Sequence, residues 1–227
     1  QGNGASWTYA RNGARLDITG KPDRSWNPEF NGTVIDIDVD ENETYYYAAG
    51  YFTRAHNRVV ENAGRLSTAA GAELDQSWAF RHSYLIGKYQ QTVTAANGRV
   101  YFGGSQHSLF GYNSDSMTRT SGSITMNNGG DLQASTRSAT GVVYASCHCS
   151  DYTFQDAYQY LALGTTWTRA DEIQWVGGWD EATGRQLGWT PYRLGSLRST
   201  GAWALEMADD GALWAGGDFN YSYTSLT

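Results

Sequence analysis

Hydrophobic and polar positions alternate with period two through most of this chain, in short runs cut by polar turns rich in Gly, Asn and Asp, a pattern that predicts strands joined as hairpins. One strand–turn–strand unit recurs four times: Val34 to Phe52 (VIDIDVDENETYYYAAGYF), Tyr89 to His107 (YQQTVTAANGRVYFGGSQH), Leu132 to Cys149 (LQASTRSATGVVYASCHC) and Ala202 to Phe219 (AWALEMADDGALWAGGDF). Each copy ends near a pair of small residues. A unit of this size cannot bury both of its own faces and must stack on its neighbours. The expected fold is therefore all-β, a β-propeller of short four-stranded blades.

Each inner hairpin needs an outer pair of strands, and ARLDITGKPDRSWNP (14 to 28), GRLSTAAGAELDQSWAF (64 to 80) and GGWDEATGRQLGWTP (177 to 191) supply them. Their common frame is an apolar residue, a turn closed by Gly20, Gly71 or Gly184, and then Trp26, Trp78 or Trp189. Glycine suits the positive φ of such turns, and the indole can plug the space between blades. The segment 109 to 126 keeps the strand pattern without the Trp. The order of halves predicts four blades: 30–80, 85–126, 130–191 with an insertion over 150–175, and a last one in which the outer half 7–28 pairs with the inner hairpin 202–219. That pairing would close the ring and leave no open edge. The alternative is a piece of a longer array.

Composition fits this picture. The 227 residues include 27 Gly and 3 Pro, as many tight turns between short strands require. Aromatics make up 14% and charged residues 17%, so the polar surface rests on Ser, Thr, Asn, Gln and Tyr, a balance common among extracellular proteins and carbohydrate binders. The net charge of −7 without any Lys/Arg run argues against nucleic acid and anionic membranes as partners. No apolar stretch approaches the roughly 20 residues of a membrane span. Cys147 and Cys149 flank His148. The CxC pair can close a small disulfide in an oxidising compartment or hold a soft metal in a reducing one, and with no further Cys the disulfide is preferred.

Trp26 to Pro28, Gly216 to Phe219, Trp179 to Gly184 and Trp189 to Pro191 together resemble the propeller-type repeats of large secreted actinobacterial surface proteins, often found beside PKD or laminin-G-like modules. The Cys147-His148-Cys149 loop is similar to one in that group. The resemblance covers nearly the whole chain. It implies a secreted or cell-surface location, and further domains in a longer chain, more than it implies an activity.

In a propeller, the loops leaving the second strand of each blade gather on one face and often carry the ligand. His56, His82, His107 and His148 all fall in such loops, with Gln106, Asp151, Tyr152, Asp218, Tyr221 and Tyr223. Flat rings for sugar C–H faces, and carboxylate, amide and imidazole groups for hydroxyls, are what a glycan site needs. The histidines could alternatively hold a metal ion, or be solvated loop residues that never meet. Asp36, Asp38 and Asp40 share one face of a strand, and Glu41 stands where a calcium loop would need Gly, so a polar strand face explains them better. The insertion reads either as a loop or short helix over the ring mouth or as a patch on an irregular third blade.

Two function classes follow. The first is a non-catalytic extracellular module that binds a glycan or another cell-surface component and needs no cofactor. The second is a secreted propeller enzyme. A glycosidase needs two carboxylates about 5 to 10 Å apart, and Asp131, Asp151, Asp156 and Asp218 are available but unpaired in sequence. WDEATGRQLGW is similar to the tryptophan-docking repeat of quinoproteins, whose pocket residues are not identifiable here. No nucleophile elbow, phosphate loop or HExxH motif is present. The binding module is preferred.

Overall fold

The computed structural model describes residues 9–78, 80, 89–126, 130–157, 166–191, 194–195, 198 and 200–222, and every regular element among them is a strand. In chain order these begin with β1 (Val34–Val39), β2 (Tyr45–Gly50), a short hairpin of β3 (Arg54–Ala55) and β4 (Arg58–Val59), and β5 (Ala63–Ser67). There follow β6 (Gln90–Ala96), β7 (Arg99–Gly104), β8 (Ser108–Asn113), β9 (Arg119–Met126), β10 (Leu132–Arg137), β11 (Val142–Cys147), β12 (Tyr152–Gln155), β13 (Arg169–Glu172) and β14 (Val176–Asp180). Last come β15 (Leu194–Gly195), β16 (Gly201–Met207), β17 (Leu213–Asp218) and β18 (Tyr221–Ser222).

The all-β expectation holds, and all four repeated units form antiparallel hairpins: β1–β2, β6–β7, β10–β11 and β16–β17. The first sheet is β1-β2-β5, the second runs from β6 through β7, β8, β9 and β12 to β13, and the third is β10-β11-β14. Gly20, Gly71 and Gly184 take the positive φ that their turns predicted. Across these turns Leu16 bridges to Pro22, Leu66 to Leu74 and Trp179 to Gln186.

The sheets stack in series through apolar faces. Tyr47, Ala49, Trp78 and Phe80 meet Val93, Val100, Phe102 and Tyr112 between the first and second sheets. Tyr101 and Leu109 meet Leu132, Val143, Ile173 and Trp179 between the second and third. Trp175, Val176 and Tyr144 meet Ala202, Leu205 and Leu213 of the last hairpin. Of the three frame tryptophans, Trp78 plugs a junction between two sheets as expected, while Trp26 is buried against the first sheet alone. Trp26 lies edge-on to Tyr46 at 5.0 Å, and Trp78 stacks on Phe102 at 5.4 Å. Trp189 instead leans on Tyr144 of its own sheet and stays 40% exposed. Its place is taken by buried Trp175, whose Nε1 donates to the Leu194 carbonyl at 2.8 Å.

Asp36 and Asp38 do share a strand face, but that face is turned to the second sheet rather than to water. Their carboxylates accept hydrogen bonds from the backbone N–H groups of Val93 (2.8 Å) and Ala95 (2.7 Å), on the inner edge of β6. Such edge donors have no strand partner, and leaving them unmet in the interior would be costly. Burial raises both carboxyl pKa values, against the hydrogen bonds that lower them.

One expectation is corrected. The insertion 150–175 forms neither a helix nor a loop over a mouth in its described part. Its strands β12 and β13 extend the second sheet, with Tyr152 opposite Met126 and Gln155 opposite Ser123. For the expected closure by pairing 7–28 with 202–219, no pairing among the described residues joins the first segment to β16 or β17. Residues 15–23 instead fold back on themselves through the Asp17 N–H to Lys21 carbonyl and Asp23 N–H to Arg15 carbonyl bonds. Trp26 then anchors the segment to the first sheet, donating to the Ser67 carbonyl at 3.1 Å.

Candidate functional site

The inner strand of each repeat carries one extra residue near its start. The register slips between Val34 and Asp36, Gln90 and Thr92, Leu132 and Ala134, and Ala202 and Ala204. The bulged residues Ile35, Gln91, Gln133 and Trp203 are therefore equivalent positions, at the same end of four stacked strands. Bulges re-aim side chains and concentrate beside functional sites.

A polar cluster surrounds this end. Asp131, just before β10, receives the Tyr89 hydroxyl at 2.7 Å, Gln91 Nε2 at 3.3 Å and His107 Nε2 at 3.1 Å. Gly130 makes room for the imidazole, since a Cβ there would sit 2.4 Å from His107 Nδ1. The Asp131 carbonyl accepts the His148 N–H at 2.9 Å, so the second histidine is tied to the same turn. With its amide turned to suit its neighbours, Gln133 donates to the Ala202 and Thr200 carbonyls (2.8 and 3.1 Å) and accepts from His148 Nε2 at 2.6 Å. That bond puts the proton of a neutral His148 on Nε2 and leaves Nδ1 an acceptor. Aromatic rings flank the polar groups. Tyr51, 54% exposed, lies 4.7 Å from the Tyr89 ring, and Trp203, 51% exposed, stands edge-on to His148 at 5.2 Å.

The disulfide holds one side of the cluster. Cys147 and Cys149 are buried and bonded to each other, with Cα atoms 5.1 Å apart. Trp175 ties both to the backbone of the third sheet, its carbonyl accepting from Cys147 N–H and its N–H donating to the Cys149 carbonyl. His148 thus rides on a short loop clamped at both ends.

Burial works against ionised Asp131, but hydrogen bonds from His107 and Tyr89 outweigh it and hold the carboxyl below its usual range. Burial lowers the His148 pKa, with Asp131 opposing. Both shifts favour the folded protein at higher pH. The His148 contribution is complete above the unfolded value of 6.5 and is lost as pH falls through the lower folded one. That of Asp131 is complete above 3.8 and is lost below it. Asp36 and Asp38, with raised values, act in the opposite sense. The expected result is that melting temperature falls between pH 7 and 5 in the native chain and falls less in His148→Asn; equal slopes would show that His148 does not control this window.

Of the residues expected from sequence, His107 and His148 are brought together. Gln106 is fully buried and pairs with Gln90. His56 is occupied elsewhere, its Nε2 facing the Ala72 carbonyl at 3.0 Å. Asp218 is held by Arg198 (3.0 and 2.7 Å) and Thr200. The Asp151 backbone carbonyl accepts from Ile173, and Tyr152 sits on β12 with its ring near Phe154. Tyr221 lies in β18, paired with Gly195, and its side chain is outside the described residues, as are His82 and Tyr223 entirely. Among the described residues no three His, Cys, Asp or Glu side chains converge as a metal site requires. Tyr89, Gln91, Gln133 and Trp203 were not anticipated. A period-two reading passes over a bulge, and only superposing the four inner strands would have aligned these positions.

No family model and no curated protein matches this chain. Among solved structures, the chain is similar to an extracellular domain described as part of a hybrid two-component system, BT4673, from B. thetaiotaomicron, with a TM-score of 0.51 and 14% identity over 92% of this chain and 24% of that one. A second such domain, BT3049 from the same organism, gives 0.46 and 15% over 82% and 22%, and the WD40 repeats of RRP9 give 0.43 and 6% over 76% and 55%. The first likeness speaks for the fold alone, and the other two are too distant to carry an argument. The chain spans about a quarter of the length of the extracellular domains it matches.

Proposed function

We propose that this chain is a non-catalytic extracellular binding module of β-propeller type, with repeats 30–80, 85–126 and 130–191 and a fourth inner hairpin at 202–219, and that it binds a glycan where the bulged ends of the inner strands meet. The observation that carries this reading is the run Tyr51–Tyr89–Asp131–His107 beside His148–Trp203, in which exposed rings flank an ionised carboxylate, amides and an imidazole. Rings can cover the C–H faces of pyranoses while the polar groups bind hydroxyls. The site differs from the one expected: it keeps His107 and His148, draws in the bulge residues, and leaves out His56 and Asp218.

A secreted or surface location, and an actinobacterial setting among further domains, belong to the same proposal. They rest on the polar, Lys-poor composition and the motif resemblance. That the similar solved domain of BT4673 is extracellular is in keeping with it. The enzymatic alternative lacks support at this site, because the side chains touching Asp131 are a phenol, an amide and an imidazole rather than a second carboxylate.

The test is a glycan array probed with the purified chain, followed by calorimetry on any hit. A saturable hit lost by at least about tenfold in Asp131→Asn and in Trp203→Ala, with melting temperature little changed in Trp203→Ala, is the expected outcome. A blank array, or a hit indifferent to both substitutions, would overturn the reading.

A further inference from the structure

The cluster at the bulged strand ends is centred on a carboxylate that is not fully satisfied. A carboxylate offers about four lone-pair sites. Asp131 uses three of them inside the protein: Oδ2 accepts from the Tyr89 hydroxyl and from Gln91 Nε2, and Oδ1 accepts from His107 Nε2. The fourth, on Oδ1, has no partner among the described residues, and 18% of the side chain is open to solvent. His107 donates through Nε2 whether or not it is protonated, so this contact brings no permanent cation. Among the described residues no Lys or Arg touches Asp131, and the charged neighbours acting on its carboxyl are His107 and His148. Burial holds the second of these toward its neutral form.

The rings beside the carboxylate favour the same kind of ligand. Tyr89, whose hydroxyl binds Asp131, has the Tyr51 ring 4.7 Å from its own, and Trp203 stands next to His148. Aromatic faces attract a cation as well as covering C–H groups. A ring pair and an ionised carboxylate together therefore discriminate by charge, which a neutral sugar does not exploit. A uronate would set like charges against each other. An N-acetyl group would bring no charge, only an amide.

We infer that the glycan bound here carries an unacetylated amino sugar, its ammonium group donating to Asp131 Oδ1 beside the Tyr51–Tyr89 ring pair. This rests on the glycan-binding reading above and narrows it to one class of sugar. Charge-assisted hydrogen bonds are roughly twice as strong as neutral ones, so the free amine should bind at least about tenfold more tightly than its N-acetylated form.

Calorimetry of the native chain with a chitosan tetramer, its fully N-acetylated counterpart and cellotetraose tests this on one backbone, and the same comparison is made for any amino-sugar hit on the array. The amine form should lead by at least about tenfold. That lead should shrink severalfold as salt rises from about 0.05 to about 0.5 M, which screens charge but not ring contacts. In Asp131→Asn the three tetramers should bind alike; a parallel loss for all three would show a merely structural role and sink the inference. Array hits confined to neutral or acidic glycans would overturn it while leaving the binding-module reading intact, and a blank array would remove both. A tetralysine peptide that matched the chitosan tetramer would show that charge is read without the sugar, and would overturn it too.

Discussion

Alanine at Trp78 is expected to cost about 3–5 kcal/mol of stability, roughly 10 °C in melting temperature for a domain of this size. The indole is buried where the first two sheets meet, stacked on Phe102 and edge-on to Tyr112 (5.6 Å) and Phe80 (6.2 Å). These rings come from different repeats, so no single sheet can close over the hole that alanine would leave. Trp78→Phe, which keeps a ring in the stack, should lose clearly less. Thermal unfolding of the two variants beside Trp189→Ala checks the account. Trp189 has the same frame position but is largely outside its junction, so its truncation should be nearly silent; equal losses at 78 and 189 would refute the packing explanation.

The second large effect is expected at Gly104. A Cβ there would lie 2.4 Å from the Tyr89 carbonyl oxygen and 2.6 Å from Gln90 Cα, both backbone atoms that no rotamer change can move. The strand end must shift, and Tyr89 with it. Ser105 fixes the same carbonyl through its N–H (3.1 Å) and hydroxyl (3.0 Å), so the disturbance reaches the phenol that binds Asp131. Gly104→Ala should destabilise by about 2 kcal/mol or more, on the scale of overpacking a close-packed site, and weaken any ligand bound at Asp131. Gly64→Ala is the control, since its nearest neighbours stand at 3.5 to 3.8 Å and are side-chain atoms. If Gly104→Ala matches this control in both stability and binding, the close approach has no energetic meaning.

Local pattern revealed much of the fold. The four hairpins, the turn glycines and the plugging role of Trp78 are readable, because alternation and glycine placement act over a few residues. What was not readable depends on neighbours distant in sequence. Asp36 and Asp38 read as a wetted face because nothing in VIDIDV says that β6 will lie over it. Trp189 followed the frame, yet Trp175 filled the space, a competition decided only by packing. At the site, His107 and His148 could be picked out as loop histidines. Asp131 becomes their centre only when β7, β10 and β11 are brought together, and the amides that join it stand on bulges that interrupt the period.

The six-stranded second sheet separates this protein from an ideal stack of repeats. In such arrays each unit contacts only its neighbours and can melt on its own, as a chain of weakly linked beads. Here the chain leaves β11 of the third sheet, pairs β12 with β9 and β13 with β12 on the second, and returns as β14 beside β11. The third repeat is therefore laced to the second by backbone hydrogen bonds. Fraying of β10–β11–β14 pulls on two strands of its neighbour, so these two repeats should open and exchange amide protons as one cooperative unit, leaving the first sheet and the last hairpin to move more independently.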